Sequence, residues 1–273
     1  MKRLLSILNL SISMLVITTA FLACGGDDET INPSPESPEA LKAKHITRVE
    51  FQNSDGTIGS ECLINYDSKG RVSSFYWRDG SDAYRYYYSY NESTIVENSG
   101  SGTTTFYLLN GRITSTDDYG FSYDSTGHLQ SKSGNRRITY TWLNDNLTSY
   151  FRTYNNSGHT RETTMEYSDI KVPVNYIPYL FYRGYKFKFS ENYPFLAYYG
   201  FLGENSRNLA KKMVQIVNEF AHPYTVLEEY EYVMKDGLPV EIIVDITTYG
   251  STKTRNYADI TNHYSKHIIV EWN

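Results

Sequence analysis

From residue 46 to the end, the chain is a succession of short runs of alternating apolar and polar residues, each cut by a turn signal. In "ECLINYDSKGRVSSFYW", residues 61 to 77, one run ends at Asp67-Ser68-Lys69-Gly70 and a second begins at Arg71, which reads as two strands and a turn. "FYLLNGRITST" turns at Asn110-Gly111, where both residues tolerate positive φ. "FSYDSTGHLQS" repeats the Tyr-Asp-x-x-Gly pattern at Tyr123, Asp124 and Gly127, "YTWLNDNLTSY" varies it at Asn144 to Asn146, and "YVMKDGLPVEIIV" turns at Asp236-Gly237. A hairpin cannot bury its own apolar face, so consecutive hairpins must pair side by side. The expected fold is therefore all-β, an antiparallel meander of hairpins forming a large curved or barrel-like sheet, with at most one or two short helical turns.

The repeat is degenerate. Gly70 and Gly111 are 41 positions apart but Gly111 and Gly127 only 16, so the longer interval must hold a further hairpin, with turns near Asn91-Glu92 and Asn98 to Gly102. Leu209, Met213, Val217 and Phe220 fall at helical spacing after Ser206, whereas Val214 and Ile216 alternate as in a strand. A short helical turn over 206 to 211 running into a strand is expected. From Tyr264 to Trp272 β-branched and aromatic residues dominate, and this last strand is expected to close the sheet.

The stretch "AYRYYYSY", residues 83 to 90, puts Tyr84, Tyr86, Tyr88 and Tyr90 at every second position, so a strand turns all four to one face. Two readings follow. The row is an aromatic ladder packing across to Trp77, Tyr107 or Tyr123, or it is a platform for sugar rings or peptide side chains. A strand has two faces, so Arg85 and Tyr87 belong to the other one. The candidate ligand-binding residues are Trp77, Tyr84, Arg85, Tyr86, Tyr87, Tyr88 and Tyr90.

The first 43 residues concern location. Lys2 and Arg3 precede an uncharged stretch from Leu4 to Ala23, with Cys24 directly after it; this reads as a signal peptide over 1–23 and a lipid attachment site at Cys24. Residues 24–43, with Pro33, Pro35, Pro38 and the acidic cluster Asp27, Asp28, Glu29, read as a disordered tether. A single all-β domain over 44–273 follows. Apart from Cys24 only Cys62 remains; no intramolecular disulfide is then possible, and Cys62 reads as a buried inert thiol. Without Lys2 and Arg3 the chain carries 24 basic against 31 acidic side chains, which excludes a nucleic-acid partner by charge.

"YDSKGRVSSF" and "YDSTGHLQS" resemble the YD repeats of secreted bacterial proteins. Together with the lipoprotein signal, "LAYYGFLGENSRNLA" at 196–210 and the turn at Tyr232, Asp236, Gly237 and Pro239, the layout resembles a Bacteroidetes lipoprotein family, domain of unknown function 4595, described as porin-like in fold. The resemblance covers most of 45–273 and implies an antiparallel, barrel-like meander. It implies no activity. Ala210 stands where that pattern has Pro. The aromatic strands also carry Arg71, Arg78, Arg85, Arg136, Arg137 and Arg152, unlike the apolar lipid-facing band of a membrane barrel.

No catalytic, metal or cofactor motif has diagnostic spacing. His263 and His267 are four residues apart in a strand, roughly 13 Å, too far to share a metal. Asp79-Gly80-Ser81-Asp82 and Asn144-Asp145-Asn146 lack calcium-loop spacing. The expected protein is a lipid-anchored outer-membrane lipoprotein, exposed at the cell surface, that is not an enzyme and acts as a binding module for a glycan or peptide. The alternative is a structural or assembly component of an outer-membrane complex, and a hydrolase ranks third.

Overall fold

The computed structural model describes residues 44–100, 102–155, 157–171, 196, 200–218, 223–250 and 260–273; the signal peptide, Cys24 and the tether lie outside them. Sixteen strands follow in chain order: β1 Ile46–Gln52, β2 Ile58–Tyr66, β3 Val72–Asp79, β4 Asp82–Tyr90, β5 Thr94–Asn98, β6 Thr103–Leu109, β7 Arg112–Ser115 and β8 Gly120–Tyr123, then β9 Leu129–Ser133, β10 Arg136–Leu143, β11 Asn146–Tyr154, β12 Thr160–Lys171, β13 Asn208–Asn218, β14 Tyr224–Lys235, β15 Leu238–Tyr249 and β16 Ile260–Trp272. Each pairs antiparallel with its neighbours in sequence, and β16 pairs with β1 from Ile46↔Trp272 to Gln52↔His267, closing a barrel. The hairpins therefore form the expected meander, and the interval between Gly70 and Gly111 holds β4–β5 and β5–β6 at the expected turns and also β3–β4, which turns at Asp79–Asp82. Asn110 and Gly111 adopt φ of 52° and 75°, the two positive values that a tight hairpin turn with the right-handed twist of its strands requires.

No helical turn forms at 206–211. Ser206 is buried and β13 starts at Asn208. A spacing of four residues suits one helix face, but it is also an even number and so suits one strand face. Met213, Gln215 and Val217 in fact alternate inward at 2%, 5% and 0% exposure, paired with β12 and β14.

The two faces of the sheet differ in chemistry. Val49, Phe51, Cys62, Ile64, Phe75, Trp77, Ile242, Val244, Ile268 and Val270 point inward into one apolar core. The burial of Cys62 pushes its thiol far up and leaves it inert, as expected. Outward, the Arg48 guanidinium joins Glu50, Glu61 at 2.6 Å and Glu271 at 3.1 Å, and Arg78 adds a contact to Glu61 at 3.2 Å. Lys212, Glu229 and Asp245 stand side by side on β13, β14 and β15. Charges at mid-strand on β1 to β3, β16 and β13 to β15 are unlike the continuous apolar band of a membrane barrel.

Antiparallel order places the start of every odd strand and the end of every even strand at one end of the barrel, here the near end. Seven of the eight even strands finish there with an inward aromatic residue whose polar atom donates to a carbonyl near the start of the preceding strand. Tyr66 bonds Ile46 O at 2.5 Å, Tyr90 bonds Val72 O at 2.7 Å, Tyr123 bonds Ile113 O at 2.6 Å and Trp142 bonds Leu129 O at 2.8 Å. Tyr167 bonds Leu147 O at 2.7 Å, Tyr232 bonds Ala210 O at 2.6 Å and Trp272 bonds Pro239 O at 2.9 Å. On β6 the position is Leu108, which has no donor. Pairing shifts register beside Tyr66, Tyr123, Trp142 and Tyr167, and at such irregularities a side-chain donor can satisfy a carbonyl that the ladder leaves.

This accounts for the Tyr-Asp pair. The Tyr clamps the strand end, and the Asp holds the turn: Asp67 Oδ1 accepts from the amides of Lys69 and Arg71, and Asp124 Oδ1 from those of Thr126 and His128. Burial pushes the Tyr167 hydroxyl up to about 12. Tyr167→Phe keeps the ring and removes only the donor, so urea denaturation is expected to show a loss of about 1 kcal/mol. No change would mean that water replaces the clamp at no cost.

The near end is filled by the segment from Gly200 to Arg207. Its backbone bonds the near-end turns in succession: Ile113 N to Phe201 O at 2.8 Å, Glu204 N to Gly127 O at 3.1 Å and Arg207 N to Asp145 O at 3.3 Å. Asn146 Oδ1 accepts from the amides of Arg207 and Asn208, and Ser206 Oγ accepts from Leu147 N. Leu196 and Leu202 join the core, and Phe201 packs beside Tyr90 at 5.9 Å. This segment is a plug.

Candidate functional site

The barrel wall divides the candidate residues. Tyr84, Tyr86, Tyr88 and Tyr90 of β4 and Trp77 of β3 point inward, while Arg85 and Tyr87 point outward, as period-two alternation requires. The inner row is graded along the strand. Tyr90, next to the plug, is half-buried, with the Arg71 guanidinium 4.3 Å from its ring centre. Tyr88 is 9% exposed and donates to Glu97 Oε2 at 2.5 Å. Tyr86 is half-buried and stacks on Phe75, with ring centres 4.4 Å apart and planes 13° apart. Tyr84, nearest the far end, is 49% exposed although it faces the lumen.

Trp77, the cross-strand neighbour of Tyr84, is 4% exposed and meets the edge of Phe51 at 5.3 Å; it is core. Tyr107 points to the outer face, where its hydroxyl contacts Asp117 at 3.3 Å, so it is not part of the ladder. The main partner of the row is Phe75, which the sequence reading did not single out. On the outer face Tyr87 is 52% exposed between Ser74 and Asn98, and Arg85 lies over Tyr76 at 5.1 Å.

One sector of the lumen wall is cationic. Lys132, Arg136, Arg152 and Arg161 point inward from four consecutive strands, β9 to β12. None of the four stands free. Burial, reinforced by Arg152 and Arg136, pushes Lys132 down to about 7, and its ammonium sits 4.0 Å from the ring centre of Tyr119. Arg152, 1% exposed, donates to the Tyr154 hydroxyl at 3.1 Å, and Arg136 lies over the same ring at 4.8 Å. The lumen also holds two buried acids, each accepting from a tyrosine: Glu97 from Tyr88, and Glu228 from Tyr230 at 2.5 Å. Burial pushes Glu97 above the usual carboxylate range, and the Tyr88 bond opposes that shift.

Arg136 and Arg152 thus face the lumen, whereas Arg78 and Arg85 face out. The inward set was recoverable in principle, because Ile138 marks the core face of β10 and parity carries Arg136 with it. Among the described residues no group of His, Cys, Asp and Glu could hold a metal. His263 and His267 bond Thr247 and Glu241 instead. Asp145 in the Asn144–Asn146 turn is engaged by Arg207 at 3.0 Å.

The fold is shared with solved structures. A porin-like protein from Bacteroides uniformis ATCC 8492 is 15% identical, the match covering 84% of this chain and 96% of that one with a TM-score of 0.58. A porin-like protein from Bacteroides vulgatus ATCC 8482 is also 15% identical, covering 84% and 98% with a TM-score of 0.54. No protein-family model and no curated protein matches the chain.

Proposed function

We propose that the chain is a lipid-anchored lipoprotein of the outer membrane, acylated at Cys24 and exposed at the cell surface, and that its barrel is a non-enzymatic binding module whose lumen mouth takes a glycan. The observation that carries the reading is Tyr84, an inward-pointing ring left 49% exposed at the far end of the row. Ligand sites favour concave, preformed places such as the mouths of barrels, and Tyr86 stacked on Phe75 continues the aromatic wall below Tyr84. The fold shared with porin-like proteins of Bacteroides supports an envelope address. A non-enzymatic role is supported by the two buried lumen carboxylates, Glu97 and Glu228, each committed to a tyrosine hydroxyl.

A glycan array followed by titration calorimetry on the detergent-solubilised chain tests this. Tyr84→Ala is expected to weaken binding roughly tenfold, about 1.4 kcal/mol, with little change in melting temperature, while Tyr87→Ala leaves affinity unchanged. The opposite pattern would move the site to the outer face around Tyr87, Arg85 and Tyr76. No binding in the array would remove the glycan reading.

A further inference from the structure

The plugged end carries an unusual outer surface. Among the described residues six large aliphatic side chains stand exposed, and five of them, Leu63, Leu109, Leu143, Ile170 and Val233, lie on the near-end half of their strands. The two most exposed, Leu109 at 63% and Leu143 at 62%, are the last residues of β6 and β10, directly beside the turns. Leu109, Leu143 and Val233 occupy β6, β10 and β14, every fourth strand of the sixteen, so they are distributed around the rim, whereas Leu63 lies at mid-strand on β2 opposite Arg48. Isolated exposed leucines are ordinary. A set with five of its six members toward one end of the barrel is not.

The same end is where the chain enters the barrel. His45 N donates to Asn273 Oδ1 at 2.8 Å, and Asn273 N to His45 O at 3.0 Å, so both ends of the described chain lie at this rim. Nineteen residues, Gly25 to Ala43, separate Cys24 from Lys44; even fully extended they reach no more than roughly 70 Å. Exposed Lys69 and Lys235 stand in or beside near-end turns, together with exposed Glu92, Glu204 and Asp236. Aliphatic groups interspersed with charged side chains of both signs suit the boundary between headgroups and acyl chains.

We propose that the plugged end of the barrel docks on the lipid surface to which the chain is tethered, through the apolar rim that includes Leu109 and Leu143, so that the far end and its mouth face away from the membrane. This rests on the anchor reading above. The full chain with its own anchor is reconstituted in vesicles of phosphatidylethanolamine and phosphatidylglycerol containing a spin-labelled lipid, with an environment-sensitive fluorophore at Leu109→Cys, Leu143→Cys or, as far-end control, Ile58→Cys. Quenching at 109 and 143 is expected to exceed that at 58 by at least about threefold, as partial burial in the interface requires. A Leu109→Asp/Leu143→Asp pair, probed at Val233→Cys, is expected to abolish the excess quenching there. Equal quenching at both ends overturns the proposal.

Flotation of Cys24→Ser tests the anchor separately. If that variant floats as the parent does, the anchor reading fails. The quenching comparison, repeated on chain held by an N-terminal His tag on nickel-chelating lipid, then supports docking or overturns it by the same criterion.

Discussion

Gly203→Ala is expected to be the most damaging single methyl group that can be added to the plug. Gly203 has φ of +87°, and a Cβ there would lie 2.3 Å from Gly127 O and 3.1 Å from the Tyr123 ring. Neither neighbour can yield readily. Gly127 O accepts from Glu204 N, Gly203 N is bonded to Gly200 O, and Tyr123 is clamped to Ile113 O. The left-handed conformation costs a non-glycine residue about 1–2 kcal/mol, and overpacking adds roughly 1–3 kcal/mol, so urea denaturation should show a loss of about 3 kcal/mol. Gly102→Ala is the control. No atom lies within 4 Å of a Cβ there, and an unconstrained surface change stays within about 0.5 kcal/mol. Equal stability of the two variants would mean that the plug is not seated against the β8–β9 turn.

Phe75→Ala is expected to cost still more in stability, about 3–5 kcal/mol, the usual range for a buried aromatic truncated to alanine. Phe75 is 1% exposed and lies against both Tyr86 at 4.4 Å and Tyr88 at 6.1 Å, so its loss removes the wall on which the tyrosine row rests. Tyr84→Ala, two positions nearer the mouth than Tyr86, should cost less than about 1 kcal/mol because the ring is half in water already. The contrast between these two, in one denaturation series, divides the row into a packed part and an exposed part. Similar losses for both would make Tyr84 core and remove the mouth as a platform.

The row shows how far parity alone carries. Alternation puts Tyr84, Tyr86, Tyr88 and Tyr90 on one face and Arg85 and Tyr87 on the other whatever the tertiary structure. Parity cannot rank the four. Their burial runs from exposed to buried and back to half-buried because each sits at a different height: at the far mouth, against Phe75, beside Glu97, and over the plug. The same limit explains the inward cations. Arg136 and Arg152 looked like evidence of a water-facing strand, yet a barrel this wide has a lumen that can hold polar groups, and they occupy it.

The stretch at 196–210 was legible as a motif and not as a plug. A strand announces itself by period two, but a segment whose groups bond three separate turns has no period to read. Its hydrogen bonds reach Ile113, Gly127, Asp145 and Leu147, partners roughly 60 to 90 positions away. The helical turn expected at 206–211 failed for a related reason: a four-residue spacing is shared by helix and strand, and pairing with β12 and β14 chose the strand.

By itself, the sequence determined the all-β meander, many of its turns and which side chains within a run share a face, because these depend on neighbours within a few residues: Asn-Gly and Asp-Gly at positive φ, Tyr-Asp at strand ends, and alternation between them. Only the tertiary structure decided that the strands of the closed sheet number sixteen, that the near end is plugged, and that inward cations gather on β9 to β12. Those properties depend on how many hairpins fit around the circle and on contacts between residues more than a hundred positions apart, such as β1 with β16. Local periodicity carries no information about either.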